Sequence, residues 1–186
     1  MEPPERARPR IHWPAVLTVV RIVLVIPVVI LTLRETQVSS WIAFVAFGVA
    51  ALTDGLDGFA ARKLGLVSVR GQMWDPIADK ILVMASLAAL VVVGRFPAWA
   101  AVVIAFREIV VTVLRWGASR RGRGFPASPA GKAKTFAQLV AVLLYILPVG
   151  TTPADLEAAF LWLAVALTIF SGAQYLMRAP QLLRNH

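Results

Sequence analysis

Residues 54–79 read D-G-L-D-G-F-A-A-R-K-L-G-L-V-S-V-R-G-Q-M-W-D-P-I-A-D. Four carboxylates sit inside or beside strongly apolar sequence, Asp54 and Asp57 at i, i+3 and then Asp75 and Asp79 at i, i+4. Each spacing puts both acids of a pair on one face of a helix. A charged side chain in a bilayer interior is costly and marks a functional site by default. Four acids facing one another repel strongly unless cations lie between them. The stretch therefore predicts a divalent-metal site carried by two helices at a membrane.

The rest of the composition agrees with a membrane setting. Of 186 residues, 59% are hydrophobic and 16% charged, with a mean hydropathy of +0.74. That is too apolar for a soluble domain of this size. The net charge of +9 resembles a nucleic-acid footprint, but the basic residues fall in short segments between apolar runs. There they set topology and meet anionic lipid, so nucleic acid is not an expected partner. The absence of cysteine excludes disulfides, thiolate metal sites and cysteine nucleophiles. His12 and His186 are the two histidines, which excludes a histidine-rich site. Oxygen ligands remain, and they suit two divalent cations, magnesium or manganese.

Residues 1–10 are proline- and arginine-rich with nothing to bury, which predicts a disordered or surface-lying tail ahead of a single membrane catalytic domain over 11–186. Apolar runs follow at about 14–33, 40–60, 74–93, 97–116, 134–150 and 156–177, each near the ~20 residues that cross a bilayer as a helix. Arg21 inside the first run, and no small-residue cleavage site after it, argue for a retained span rather than a signal peptide. Lysine and arginine crowd the tail (Arg6, Arg8, Arg10), the second connection (Arg62, Lys63, Arg70), the fourth (Arg120, Arg121, Arg123, Lys132) and the C-terminal end (Arg178, Arg184). The other connections carry Arg34 offset by Glu35, Arg95 alone, and Asp155 with Glu157. This bias predicts an all-α integral membrane protein with six transmembrane helices and both termini in the cytoplasm. That topology places Thr18, Arg21, the four aspartates, Arg107, Arg115, Lys132 and Lys134 at one depth on the cytoplasmic side. Trp13, Trp41, Trp74, Trp99 and Trp162 lie near span ends, as an aromatic belt does.

Two acid pairs with oxygen-only ligands can hold two metal ions, the arrangement that clamps the attacking and leaving oxygens of phosphoryl transfer. Gly55 and Gly58 lack side chains, so either the backbone is open to a phosphate or helices pack closely there; beside Asp57 and Arg62, Gly58 favours the former. Arg62, one turn on, can grip phosphate oxygens in bidentate fashion. Asp79 is the candidate general base for an attacking hydroxyl. Lys80, next to it, is read as an interface lysine.

The pattern D-x2-D-G-x2-A-R-x8-G-x3-D-x3-D, filled by Asp54, Asp57, Gly58, Ala61, Arg62, Gly71, Asp75 and Asp79, resembles the signature of the CDP-alcohol phosphotransferases. The resemblance implies six transmembrane helices, a cytoplasm-facing site in a bacterial cytoplasmic membrane, two magnesium or manganese ions and a homodimer. It implies metal binding by the four aspartates, with Asp79 also the base, and donor contacts from Gly58, Arg62 and Ser68. Thr18 and Arg21 join the expected donor site. The segments 107–115 (REIVVTVLR), 131–138 (GKAKTFAQ) and 14–21 (PAVLTVVR) resemble the bacterial phosphatidylglycerophosphate synthase branch. The reaction implied transfers a phosphatidyl group from CDP-diacylglycerol to sn-glycerol 3-phosphate, with release of CMP. Where the family often has N-x-P-T, this chain has His12-Trp13-Pro14-Ala15.

An acceptor that already carries a phosphate needs cations beyond the metal site, and Arg107, Arg115, Lys132 and Lys134 are surplus to it. For Arg107 the competing reading is an ion pair with Glu108; for the two lysines it is contact with anionic headgroups. A cardiolipin synthase, whose acceptor is the uncharged hydroxyl of phosphatidylglycerol, would have less use for these cations. A divalent-cation transporter would leave Gly58, Arg62 and Gly71 unexplained and would lack acids in the outer half of the membrane.

Overall fold

A computed structural model describes the backbone of residues 13–64, 71–120 and 129–183 and the side chains of 20–53, 80–118 and 129–177. Within them the chain is all-helical: α1 Trp13–Leu33, α2 Gln37–Leu64, α3 Gly71–Val92, α4 Ala98–Arg120, α5 Pro129–Ile146 and α6 Ala154–Leu183.

The helix ends follow local chemistry. Glu35 takes a φ of 52° and turns the chain out of α1. Thr36 then caps α2: its Oγ1 accepts from the Ser39 amide at 3.1 Å, while the Ser39 Oγ accepts from the Thr36 amide at 3.1 Å. Two orphan donors are thus satisfied reciprocally, as in a capping box. At the far end of α3, Gly94 has a φ of +69°. Its amide donates to Val91 O at 3.0 Å and that of Arg95 to Leu90 O at 2.9 Å, the bond pair of a Schellman stop. Arg95 next reaches across to the carbonyls of Ile146, at 3.3 Å, and Leu147, closing the C-terminal end of α5.

The helix bounds depart from the apolar stretches that announced them. The α5 run was expected over 134–150, yet the helix opens at Pro129 and closes at Ile146. Proline is favoured at a first helical position because its missing N–H has no intrahelical role there, and Pro148 stops the helix. Hydropathy reports which segment avoids water, whereas the helix continues wherever backbone bonds are satisfied.

Two layers form. Helix α1 packs on α2 and α3, α6 packs on α4 and α5, and the layers meet where α5 lies against α2 and α3 and where α4 lies against α3. Phe47, Leu82, Leu90, Ile104 and Ile146 are fully buried at the centre. The α5–α6 seam is lined by Ala137, Ala141 and Ala164, small residues that let two backbones approach closely. The outer surface is apolar as well: Ile26 is 62% exposed, Leu52 69%, Ile109 64% and Phe136 68%. Among the described residues, Ala154–Met177 is long and apolar enough to cross a membrane, and Val20–Leu33, Gln37–Thr53 and Lys80–Val92 are shorter apolar stretches.

Candidate active site

Charge collects in one place inside this bundle. A cavity of about 470 Å³ opens between the layers. Its wall takes Arg21 from α1, Lys80 from α3, Arg107, Glu108 and Arg115 from α4, Lys132 and Lys134 from α5, and Tyr175 from α6. Among the described residues, six cations and a single carboxylate thus line the cavity.

Glu108, 7% exposed, is the hub. Its Oε1 takes a bond from Lys134 and one from Arg107 Nη1 at 3.1 Å, and Lys80 Nζ lies 3.4 Å from Oε2. Lys80 is further held by the Glu108 carbonyl, at 3.4 Å, and by the Thr112 hydroxyl. A buried charge is tolerated when paired and hydrogen-bonded, and here one acid serves three bases. Among the described residues the surplus is positive, which suits an anion. Among the described residues the Nε of Arg107 is a buried donor with no hydrogen-bond partner. Buried donors are rarely left unmade, and this one fits a ligand oxygen.

Two arginines of α4 are held by α6. Arg107 Nη2 donates to Ser171 Oγ at 3.1 Å, and Arg115 Nη2 donates to the Tyr175 hydroxyl at 3.3 Å. Both guanidiniums stand 5.5 Å from the centre of the Tyr175 ring. Behind them Gln138 Nε2 donates to Thr168 Oγ1 at 2.9 Å, linking α5 to the same face of α6.

The cations assigned from sequence to an acceptor phosphate, Arg107, Arg115, Lys132 and Lys134, line this one cavity. Arg21, assigned to the donor, lines it too and is 5% exposed. Arg107 pairs with Glu108 and also lines the cavity. Lys80, read as an interface lysine, instead joins the Glu108 cluster in the cavity wall. Ser171 and Tyr175 were missed altogether; their signal is a pair of polar side chains one turn apart in an otherwise apolar helix.

The acids occupy helix positions next to this wall. Asp54, Asp57, Gly58 and Arg62 belong to α2, and Asp75 and Asp79 to α3. Their side chains, and that of Thr18 on α1, lie outside the described residues, as does Ser68 entirely. Ala50, one turn before Asp54, and Lys80, directly after Asp79, line the cavity. Among the described residues no three histidine, cysteine or acidic side chains come together as metal ligands.

The model of the CDP-alcohol phosphatidyltransferase family matches residues 11–170. A protein of Mycobacterium tuberculosis (strain ATCC 25618 / H37Rv) named as a probable phosphatidylglycerophosphate synthase is 39% identical over 168 residues, covering 88% of this chain and 79% of that one. Two proteins named CDP-diacylglycerol–glycerol-3-phosphate 3-phosphatidyltransferase are similar as well. That of Bacillus subtilis (strain 168) is 40% identical over 144 residues, 76% of this chain and 75% of that one. That of Rickettsia felis is 35% identical over 169 residues, 88% and 93%.

Proposed function

Since the chain belongs to the CDP-alcohol phosphatidyltransferase family, we propose that it transfers the phosphatidyl group of CDP-diacylglycerol to sn-glycerol 3-phosphate, yielding phosphatidylglycerophosphate and CMP. The names of the relatives support this donor and acceptor. The observation that carries the acceptor is the polycationic cavity: the six bases described in its wall are matched to a small molecule already bearing a phosphate.

In the reaction the primary (C1) hydroxyl oxygen of sn-glycerol 3-phosphate bonds to the phosphatidyl phosphorus. The bond from that phosphorus to the CMP oxygen breaks, and CMP leaves with the electron pair. Asp79 accepts the hydroxyl proton. Arg107, Arg115, Lys132 and Lys134 hold the acceptor phosphate so that its hydroxyl is presented rather than free to tumble. Thr18, Arg21, Gly58, Arg62 and Ser68 face the CDP-linked donor, with Gly58 leaving its backbone open and Arg62 gripping phosphate. Asp54, Asp57, Asp75 and Asp79 would hold two magnesium or manganese ions. The donor set fits, being oxygen-only and carried at one-turn spacing on α2 and α3 beside a cavity that opens to phosphate. When bound, such ions neutralise charge on the reacting phosphate and its leaving group.

The same reading places all six helices across a bacterial cytoplasmic membrane, with both termini and the site on the cytoplasmic side. Support comes from the apolar outer surface, from lysine and arginine crowded into alternate connections, and from helices of 18 to 30 residues, ~27–45 Å long at 1.5 Å per residue. Residues 11–186 form one catalytic domain behind the basic tail of 1–10, and the protein works as a homodimer in lipid.

The test is CMP release by purified protein given CDP-diacylglycerol and one acceptor at a time. Release is expected with glycerol 3-phosphate. Release with phosphatidylglycerol and none with glycerol 3-phosphate would refute the proposal and make the enzyme a cardiolipin synthase.

A further inference from the structure

Arg107 and Arg115 are two turns apart on α4, ~12 Å along its axis at 1.5 Å per residue, yet both guanidiniums stand 5.5 Å from the centre of one ring, that of Tyr175. Two cations drawn toward one point repel, and the negative face of an aromatic ring offsets that repulsion. Tyr175 is 4% exposed, and its hydroxyl takes the Arg115 Nη2 bond at 3.3 Å. One turn earlier, Ser171 is fully buried and donates its own proton to Thr168 O at 3.2 Å. That leaves its oxygen lone pairs for Arg107 Nη2, at 3.1 Å. Between them stands Gly172, where a Cβ would come within 3.2 Å of Arg107 Cγ. A tyrosine, an oriented hydroxyl and an absent side chain on one turn of α6 therefore match the path of these two arginines. All three positions lie beyond the residues 11–170 that the family model matches.

We infer that this turn of α6 is a positioning element for the acceptor: Ser171, Gly172 and Tyr175 hold Arg107 and Arg115 as a convergent pair for one phosphate group. The inference rests on the acceptor-phosphate reading of the cavity. None of the three residues is assigned a contact with substrate; they act through the arginines. A pair fixed before binding loses little side-chain freedom when the phosphate arrives, so the element acts on acceptor affinity rather than on the donor.

Initial rates of CMP release by the purified full chain, with glycerol 3-phosphate and CDP-diacylglycerol varied separately, test this. Tyr175→Leu removes ring and hydroxyl and is expected to raise the KM for glycerol 3-phosphate about tenfold, well beyond any change in the donor KM. Tyr175→Phe keeps the ring and loses one hydrogen bond, so its rise is smaller, about threefold. Ser171→Ala and Gly172→Ala are expected to fall between these two. A merely structural α6 would give a lower melting temperature with the acceptor KM unmoved, or equal rises for both substrates; either result overturns the inference. Should Tyr175→Leu yield no folded protein, Tyr175→Phe and Ser171→Ala decide by the same criterion. Arg115→Gln separates the two levels. If it raises the acceptor KM and the α6 variants do not, the positioning role fails while the acceptor site stands. If neither Arg115→Gln nor Arg107→Gln moves the acceptor KM, the acceptor reading itself fails, and this inference with it.

Discussion

Replacing Arg107 with glutamine separates its two partnerships by magnitude. In the bundle the side chain is 10% exposed and bonds to Glu108 Oε1 and Ser171 Oγ, both at 3.1 Å. Breaking an isolated buried ion pair costs about 3–5 kcal/mol, because the surviving charge is left without a partner. Glu108 is not left so: Lys134 still bonds its Oε1, and Lys80 still stands 3.4 Å from Oε2. The loss of stability should therefore stay near the cost of ordinary charged hydrogen bonds, about 1.5–3 kcal/mol, and below that of a stranded charge. Catalysis is affected separately. A charge-assisted bond to the acceptor phosphate is also worth about 1.5–3 kcal/mol, or roughly ten- to hundredfold in the KM for glycerol 3-phosphate. The assay pairs thermal unfolding in detergent with steady-state CMP release, varying each substrate in turn. The expected result is a folded protein, modestly less stable, with the acceptor KM raised and the donor KM nearly unmoved. A selective rise in the donor KM would refute the acceptor assignment and move Arg107 to the nucleotide. Lower stability with both KM values intact would leave only the pair with Glu108.

The converse substitution, Glu108→Gln, takes the carboxylate from three buried cations, and although Lys80 and Arg107 keep neutral partners in Thr112 and Ser171, Lys134 loses its ion pair, so unfolding should shift by about 3–5 kcal/mol; a melting curve like the parent's would show that the cluster contributes nothing to the fold. Asp79→Asn should abolish turnover while donor binding, followed with labelled CDP-diacylglycerol, persists in part; near-normal turnover would remove Asp79 as base. Asp54→Asn, Asp57→Asn and Asp75→Asn should lose metal binding, read by titration calorimetry, together with activity. Chelation should stop CMP release and added magnesium or manganese restore it, whereas release that survives thorough chelation would contradict an oxygen-only metal site.

What could be read from the chain before its fold was known is what lies close together in it. The acids of 54–79 declare themselves because charge amid apolar residues is costly and because helical spacing groups them two by two. Arg107 could be named because it is likewise costly where it sits, and Arg115, Lys132 and Lys134 because they are surplus to the metal site, although spacing alone leaves open whether they meet. In the fold they line one cavity. The helices were legible as apolar runs and their ends less so, since Thr36 and Ser39, Gly94 and Pro129 set those ends by local bonding that hydropathy ignores.

Contacts between distant helices were not legible. Lys80 beside Asp79 reads as an interface residue until α3 is laid against α4, where Glu108 and Thr112 receive it. Glu108 reads as one partner of its neighbour until α5 brings Lys134 onto the same oxygen. Ser171, Gly172 and Tyr175 carry no charge, and in an apolar helix they read as packing residues. Only their meeting with Arg107 and Arg115 on α4 gives them another meaning. The cost of burying charge explains which residues could be found and which could not. A charge in an apolar stretch is conspicuous, so sequence exposes it. The neutral groups that make it tolerable are ordinary residues, and they are identified by where the helices bring them.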